Sequence, residues 1–158
     1  MSGEEEAIRD LYQALLDRWN RRDAPGMAEL LLDDGLVVGF DGSQMQGAAA
    51  VRDELARIFA DHTPARYVGI VRRVSFPSPG VAILHAVAGM VPPGKRQIKA
   101  ENNAVQSVAA VKRDGQWRIA LYQNTPARFD GRPALAADLT GELERAMAAR
   151  AGELFEGG

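Results

Sequence analysis

The sequence predicts an α+β fold in which a curved, mixed or antiparallel sheet wraps around the N-terminal helices to form a cone. Three helical patterns lie within the first 62 residues, and four long alternating patterns follow between residues 67 and 125. Turn signals such as Asp114-Gly115 join successive strands as hairpins. Helices that are segregated from an antiparallel sheet form a separate layer on it, which is the α+β arrangement. Sequential hairpins then allow the sheet to curl around the first helix.

The first helix is the clearest of the predicted elements. Its apolar residues recur at helical spacing: Ile8, Leu11, Tyr12, Leu15, Leu16 and Trp19. Three glutamates at residues 4–6 lie at the end where the helix dipole favours anions, and Arg18 lies at the other end. Asp23 caps a second helix, which is predicted through Leu32, because Pro25 suits the first helical turn.

A short hairpin and a third helix precede the long strands. Residues 36–40 and 43–46 flank Asp41-Gly42, which is a two-residue hairpin signal. The third helix follows this hairpin and ends before Pro64, because proline cannot continue a helix. Two further aspartates, at positions 33 and 34, are interpreted as residues at the end of the second helix.

Four long strands complete the sheet, and a last helix follows them. The strands are predicted over residues 67–76, 81–91, 104–112 and 117–125. The last strand alternates, with Trp117, Ile119, Leu121 and Gln123 on one face and Arg118, Ala120, Tyr122 and Asn124 on the other. Neither face is wholly polar, so we expect helices to cover one face and a second subunit to cover the other. Pro133 opens the last helix, which is predicted over about residues 133–150.

Length and composition predict a single domain over residues 1–158, with its core at about residues 5–126. The chain is 46% apolar and 25% charged, which is ordinary for a folded protein, and its net charge is −2. This balance gives no drive toward nucleic acid or an anionic membrane. The acidic N-terminal residues and the lack of a long apolar run predict a cytoplasmic protein. With no cysteine and two isolated histidines, we expect no metal site and no cofactor.

Polar side chains on the last two strands are the strongest candidates for ligand binding. Tyr122, Gln123 and Asn124, a phenol and two amides, can orient a carbonyl or enolate oxygen by hydrogen bonds without a formal charge. The alternative is that they bond to neighbouring backbone where the strand ends. Gln106 lies in a strand of small and apolar residues, so a buried amide there needs either a ligand or a cross-strand partner. Trp19 and Phe40 are expected to wall the cavity that these groups line.

Candidates for acid–base chemistry are weaker. His85 is the only histidine within a predicted strand, and imidazole is the commonest acid–base group in enzymes, but no carboxylate is placed to orient it. A structural histidine is the alternative. Asp41 is explained by the hairpin turn alone, and the last two strands contain no acidic residue. Catalytic residues therefore stay unassigned, with His85 and Tyr122 as the weak candidates.

Four phrases of the sequence resemble those of a known group of proteins. They are V-V-G-F-D-G-S-Q at residues 37–44, I-F-A-D-H at residues 58–62, G-M-V-P-P-G at residues 89–94 and L-Y-Q-N-T-P at residues 121–126. With the element order, they are similar to the nuclear transport factor 2-like superfamily, which includes SnoaL-like polyketide cyclases and ketosteroid isomerases. They most resemble its SgcJ/EcaC group, which is associated with bacterial natural-product clusters, including those for enediyne polyketides. The resemblance implies a cystatin-like roll with a ligand-binding cavity.

The resemblance does not carry the chemistry of the superfamily's enzymes over to this chain. In the isomerase branch the general base is an aspartate on the strand after the second helix, and the matching position here is Gly39. The acid–base aspartate of SnoaL-like cyclases has no counterpart on the last two strands.

Two functional hypotheses follow. In the first, the protein acts on a hydrophobic polyketide or polyene intermediate by cofactor-independent cyclisation, isomerisation or proton transfer. In the second, it is a non-catalytic accessory protein that binds a polyene product or a polyketide synthase or carrier domain. The loop at residues 94–103, with three cations, is either a flap that steers an anionic partner or a solvated loop. Apolar residues on both sheet faces predict a homodimer packed through the face turned away from the helices.

Overall fold

The structure is a computed structural model that describes residues 3–150 of the 158-residue chain. Over these residues the helices are α1 (Gly3–Asn20), α2 (Ala24–Glu29), α3 (Ala48–Asp61) and α4 (Pro133–Ala149). The strands are β1 (Leu31–Val38), β2 (Gln44–Gln46), β3 (Arg66–Ser78), β4 (Val81–Val91), β5 (Ala104–Arg113) and β6 (Gln116–Pro126). No helix in the described part of the chain is long and apolar enough to cross a membrane.

The six strands form one curved, unclosed sheet in the order β2-β1-β6-β5-β4-β3. Strands β3 to β6 pair antiparallel in chain order. Tight turns join β3 to β4 and β5 to β6, as predicted, and the loop at residues 92–103 joins β4 to β5. Strand β1 pairs with β6 in parallel and with β2 antiparallel, so the sheet is mixed. The predicted α+β fold, with a curved mixed sheet around the N-terminal helices, is confirmed.

The inner face of the sheet packs against α1. The buried face of this helix comprises Ile8, Tyr12, Leu15 and Leu16. The same core contains small and fully buried residues of β4 and β5: Ala82, Ala86, Ala88, Ala104 and Ala110. Short side chains allow a helix to approach a sheet closely. At Gly69 of β3 the approach is closest, because a Cβ there would meet the Tyr12 hydroxyl and Leu16.

The start of β1 differs from the prediction. Helix α2 ends earlier than predicted, and Leu31 and Leu32 begin β1 instead of continuing the helix. The reason is tertiary, because Leu31 pairs with Ile119 of β6 and both leucines are buried there. Asp33 and Asp34 are exposed within an irregular stretch of β1, so their interpretation as helix-end residues was wrong.

A β-bulge in β6 changes the predicted alternation of its side chains. The pairing of β6 with β5 skips Ala120, which is an extra residue between Ile119 and Leu121. Ile119 and Tyr122 are therefore both buried on the inner face, whereas Leu121 is only partly buried. The sequence predicted that Ile119 and Leu121 share a face. The bulge is what places Tyr122 in the same interior as Ile119.

Helix α4 covers part of the outer face of the sheet. A second buried cluster joins Leu139, Leu143 and Met147 of α4 to Val68, Val87, Val91 and Ile98. Arg72 of β3 donates two hydrogen bonds to Glu142 of α4, over 2.5 and 2.6 Å. This ion pair holds the pKa of Glu142 below its ordinary value. A face that the sequence assigned to a second subunit is thus partly covered by the chain's own last helix.

Candidate functional site

A cavity of about 660 Å³ lies between α1, α3, the β1–β2 hairpin and the inner face of β6. Its walls are mainly apolar and include Leu15, Trp19, Met27, Val37, Phe40, Met45, Leu55 and Ile58. Polar side chains on the sheet come from five residues: Gln44 and Gln46 of β2, Tyr67 of β3, and Tyr122 and Asn124 of β6. The sequence predicted a cavity between the first helix and the long strands. The short hairpin and α3 in fact contribute most of the wall.

Tyr122 and Asn124 are held by a buried amide behind the cavity wall. Gln106 pairs with Asn124 across β5 and β6, and its Nε2 donates to Asn124 Oδ1 over 2.6 Å. The same Nε2 donates to Tyr122 Oη over 2.9 Å. Tyr12 Oη donates to Gln106 Oε1 over 2.5 Å, which connects α1 to the group. Gln106 does not line the cavity, so its predicted role as a ligand contact is corrected to that of a support.

The four members of this network are almost completely removed from solvent. Tyr12 and Gln106 are 0% exposed, Tyr122 is 4% exposed and Asn124 is 7% exposed. Burial raises the pKa of Tyr122 well above its ordinary value, Tyr67 and Tyr12 raise it further, and the hydrogen bond with Asn124 acts in the opposite direction. Burial also raises the pKa of Tyr67 to about 12. These phenols therefore keep their protons at neutral pH and can donate hydrogen bonds.

Trp19 forms a rigid wall of the cavity. Its Nε1 donates to the Ala65 backbone oxygen over 2.8 Å. Its ring packs edge-on against Phe59 and Tyr67, with centroid distances of 5.3 and 5.6 Å. The end of α1 is fixed by Asn20, whose side chain both donates to and accepts from the Tyr67 backbone. This aromatic wall is therefore positioned by α1 and β3 together.

Two carboxylates line the cavity, although the sequence predicted none there. Asp41 Oδ1 accepts a hydrogen bond from the Ser43 backbone over 2.9 Å, which is the turn role that the sequence indicated and which lowers the pKa of Asp41. Glu54 of α3 lines the cavity and forms an ion pair with Arg57. Sequence reasoning missed Glu54. The signal was its position three residues after the buried Val51, at the border of the apolar face of the helix.

The remaining residues selected from the sequence lie in different places. Phe40 lines the cavity from the hairpin turn. His85 is exposed on β4, in register with Arg73 and Ser107, and does not line the cavity. Its assignment as a catalytic candidate in this site is therefore corrected.

The basic loop at residues 94–103 also lies outside the cavity wall, and its Ile98 is buried against α4. The prediction of a flap over this cavity is therefore not supported, whereas Lys95 and Lys99 are exposed, as in a solvated loop. Among residues 3–150, no group of three or more histidine, aspartate or glutamate side chains is arranged to hold a metal ion.

Solved structures share this fold. A cystatin-like domain of unknown function from Nostoc punctiforme is 22% identical, with a TM-score of 0.76 over 99% of each chain. A ketosteroid isomerase-like protein from Erwinia carotovora atroseptica is 17% identical, with a TM-score of 0.64 over 81% of this chain and 99% of that one. A hexachlorocyclohexane dehydrochlorinase is 18% identical, with a TM-score of 0.67 over 79% of this chain and 86% of that one.

Sequence comparison supplies the family. No curated protein matches this sequence. A family model described as a SnoaL-like domain matches residues 12–122, from the phenol of α1 to the phenol of β6, which is well over half of the chain. The matched region contains the second half of α1, helices α2 and α3, strands β1 to β5 and most of β6, and it includes the cavity wall apart from Asn124. The chain therefore belongs to the SnoaL-like domain family.

Proposed function

We propose that this protein binds a mainly apolar small molecule with one polar end in the cavity beside Tyr122 and Asn124, and acts on it without a cofactor. The observation that carries the proposal is the combination of apolar walls with two polar groups on a fully buried support. A volume of about 660 Å³ lies within the range of small-molecule sites. Cyclisation, isomerisation and proton transfer are the reactions that such groups can assist.

A polyketide or polyene ligand is proposed from the location of the SgcJ/EcaC-like phrases. The phrase at residues 37–44 supplies much of the hairpin wall, and the phrase at residues 121–126 supplies Tyr122 and Asn124. These are the residues that a ligand in the cavity would touch. We therefore propose membership of the SgcJ/EcaC group and a conjugated, hydrophobic intermediate as the ligand, delivered by a polyketide synthase or carrier domain.

Glu54 is the proposed base if the bound molecule reacts. It is the helical carboxylate of the cavity wall, and it forms an ion pair with the neighbouring Arg57. Removal of a proton next to a ketone by this carboxylate, with the negative charge stabilised by neutral donors, would need no cofactor. The second candidate function is binding without turnover. It is favoured by the neutral character of the polar groups on β6, which leaves all carboxylate chemistry to the hairpin and α3.

Binding is tested with trans-parinaric acid, a fluorescent conjugated polyene with a carboxylate end. We expect Tyr122→Phe and Asn124→Leu to remain folded, with some loss of stability because Gln106 loses one acceptor in each. Binding should weaken by roughly three- to tenfold, since each variant removes one hydrogen bond to the ligand. Gln123→Leu is the matched control, because this side chain is exposed on the same strand. Equal affinity of both cavity variants and the control would refute ligand contact by Tyr122 and Asn124.

Turnover is tested by deuterium uptake from heavy water at the carbon next to the carbonyl of acetylnaphthalene, followed by NMR. We expect the wild-type protein to accelerate the exchange and Glu54→Gln to abolish the acceleration. Asp53→Asn is the control, because Asp53 is an exposed carboxylate of the same helix that does not line the cavity. Binding of the ketone without accelerated exchange would favour the non-catalytic function.

A further inference from the structure

The amide of Gln106 has hydrogen-bond partners on both of its ends. Its Oε1 accepts from Tyr12, and its Nε2 donates to Tyr122 and to Asn124. An amide NH₂ has two hydrogens, and both are used here. Because Gln106 and Tyr12 are fully buried, their polar atoms depend on these partners for hydrogen bonds. On the side that faces away from the cavity, every polar atom of the Gln106 amide therefore has a protein partner.

The hydrogen bonds of Gln106 determine which groups of the cavity wall can bind a ligand. The Oη of Tyr122 and the Oδ1 of Asn124 each accept one hydrogen bond from Gln106, which holds both oxygens toward the buried amide. Gln106 uses no hydrogen of either residue, so the O–H of Tyr122 and the Nδ2 amino group of Asn124, with its two hydrogens, are left as donors. Both residues line the cavity, so a bound molecule meets hydrogen-bond donors at this point.

The opposite orientation of the Gln106 amide would invert the cavity. If its oxygen faced Tyr122 and Asn124, both would donate to it, and their acceptor atoms would face the ligand. In that state one N–H of Gln106 would point at Tyr12 and the other would have no acceptor. A buried donor without a partner is unfavourable, whereas the observed orientation uses both hydrogens. The Tyr12 phenol thus selects one of two possible polarities.

We propose that Gln106 is a positioning residue that presents donors at the Tyr122–Asn124 end of this cavity, so that this end favours ligands whose polar group accepts hydrogen bonds. A ketone, an ester or an enolate oxygen fits this requirement. The proposal rests on the proposed ligand-binding function and adds the polarity of the ligand and the residue that sets it. Tyr12 acts one step further away, through the oxygen of Gln106.

The test uses two probes of nearly equal shape, acetylnaphthalene and isopropenylnaphthalene, which differ by a C=O in place of a C=CH₂. We expect the wild-type protein to bind the ketone roughly tenfold more tightly than the alkene, from two hydrogen bonds between neutral groups. We also expect the infrared carbonyl stretch of the bound ketone to move to lower frequency than in hexane. The carbonyl stretch reports hydrogen bonding to the ligand and is insensitive to general loss of stability.

Gln106→Met keeps the length of the side chain but removes both ends of the amide. We expect the preference for the ketone to fall to about twofold or less and the carbonyl stretch to return toward its value in hexane. Affinity for the alkene should stay within about twofold, because the apolar walls are unchanged. Tyr12→Phe, which leaves Gln106 in place without its fixed partner, should lower the preference by an intermediate amount. Gln123→Met is the exposed control and should behave as wild type.

Failure of the wild-type protein to bind either probe would overturn the proposed function together with this inference. Equal binding of the two probes by the wild-type protein would leave the proposed function standing and refute the proposed donors at the Tyr122–Asn124 end of the cavity. A ketone preference and a shifted stretch that persist in Gln106→Met would refute the role of Gln106. If Gln106→Met does not fold, Tyr12→Phe with unchanged preference and stretch would refute the selection of polarity by this network.

Discussion

Gly69 shows how one residue permits the approach of α1 to the sheet. A methyl group at this position would meet the Tyr12 hydroxyl and Leu16 inside the core. We expect Gly69→Ala to lower the free energy of unfolding by about 1–3 kcal/mol, as overpacking does. In Gly141→Ala of α4 the new methyl would meet only the flexible Arg145 side chain, so this control should be neutral or stabilising by ~0.5–1 kcal/mol. Urea unfolding compares the two, and equal effects would contradict close packing at Gly69.

The buried phenol of Tyr67 predicts a loss of stability in alkaline solution. Its pKa is about 12 in the folded protein, against an ordinary value of 10.0. Between these values the unfolded chain releases the proton and the folded chain keeps it, so the free energy of unfolding decreases as pH rises from 10 to 12. Below pH 10 this contribution is fully present. It amounts to as much as ~3 kcal/mol per such group.

Tyr67→Phe removes one of the groups that cause this decrease. We expect the variant to lose stability less steeply than the wild type between neutral pH and about pH 11, measured by chemical unfolding at a series of pH values. The comparison concerns the slope, so a constant change in stability from the lost hydroxyl does not affect it. Identical slopes would contradict the raised pKa of Tyr67.

At the scale of elements, α4 stabilises the sheet from the side opposite to the cavity. Leu143 is 0% exposed in the cluster between α4 and the outer face of the sheet. We expect Leu143→Ala to destabilise the protein by about 2–5 kcal/mol through the cavity it leaves. Binding of trans-parinaric acid under native conditions should be unchanged, because no residue of α4 lines the ligand cavity.

Leu135→Ala is the control within the same helix. Leu135 is 42% exposed, so its truncation should change the free energy of unfolding by no more than ~0.5 kcal/mol. If both variants lost the same free energy of unfolding, burial of Leu143 against the sheet would not be what stabilises α4. A weakened affinity in Leu143→Ala, under conditions where it is folded, would indicate that the two faces of the sheet are coupled.

At the scale of the whole molecule, the chain covers only part of the outer face of the sheet. Beyond α4, Ile83 is 45% exposed, and Val105, Ala109 and Leu121 are partly exposed on adjacent strands. In the register of the sheet, Ile83, Ala109 and Leu121 form one row across β4, β5 and β6. We propose that a second copy of the chain packs on this row, which would bury an apolar surface that a monomer leaves in water.

Light scattering at micromolar concentration should give about twice the 17.1 kDa mass of the chain. We expect Ile83→Lys to give a monomer, because two copies of a cation would face each other near the symmetry axis. Leu135→Lys, which places the same charge on exposed α4, should remain a dimer. A monomeric wild-type protein would contradict the proposal, as would an Ile83→Lys dimer of unchanged affinity.

Local sequence patterns were sufficient for most of the fold. The apolar spacing of α1 and α3 and the hairpin signals around the long strands depend on neighbours in the chain, and these elements were predicted close to their observed bounds. Turn chemistry at Asp41 and the cap at Asp23, which accepts from the Gly26 backbone, are equally local. Tyr122 and Asn124 could be selected because polar groups on an otherwise apolar strand need partners. The pattern identified the residues without identifying those partners.

Only the tertiary structure decided which side chains share the site. Leu31 joined a strand because β6 pairs with it, and no local signal marks the bulge at Ala120, since it arises from the register of β6 on β5. Glu54 lies in the cavity wall because α3 packs beside the hairpin. His85 lies outside the wall because its side chain on β4 is exposed to solvent. Periodicity determines alternation along one strand. Register and packing between distant segments determine which face encloses a cavity.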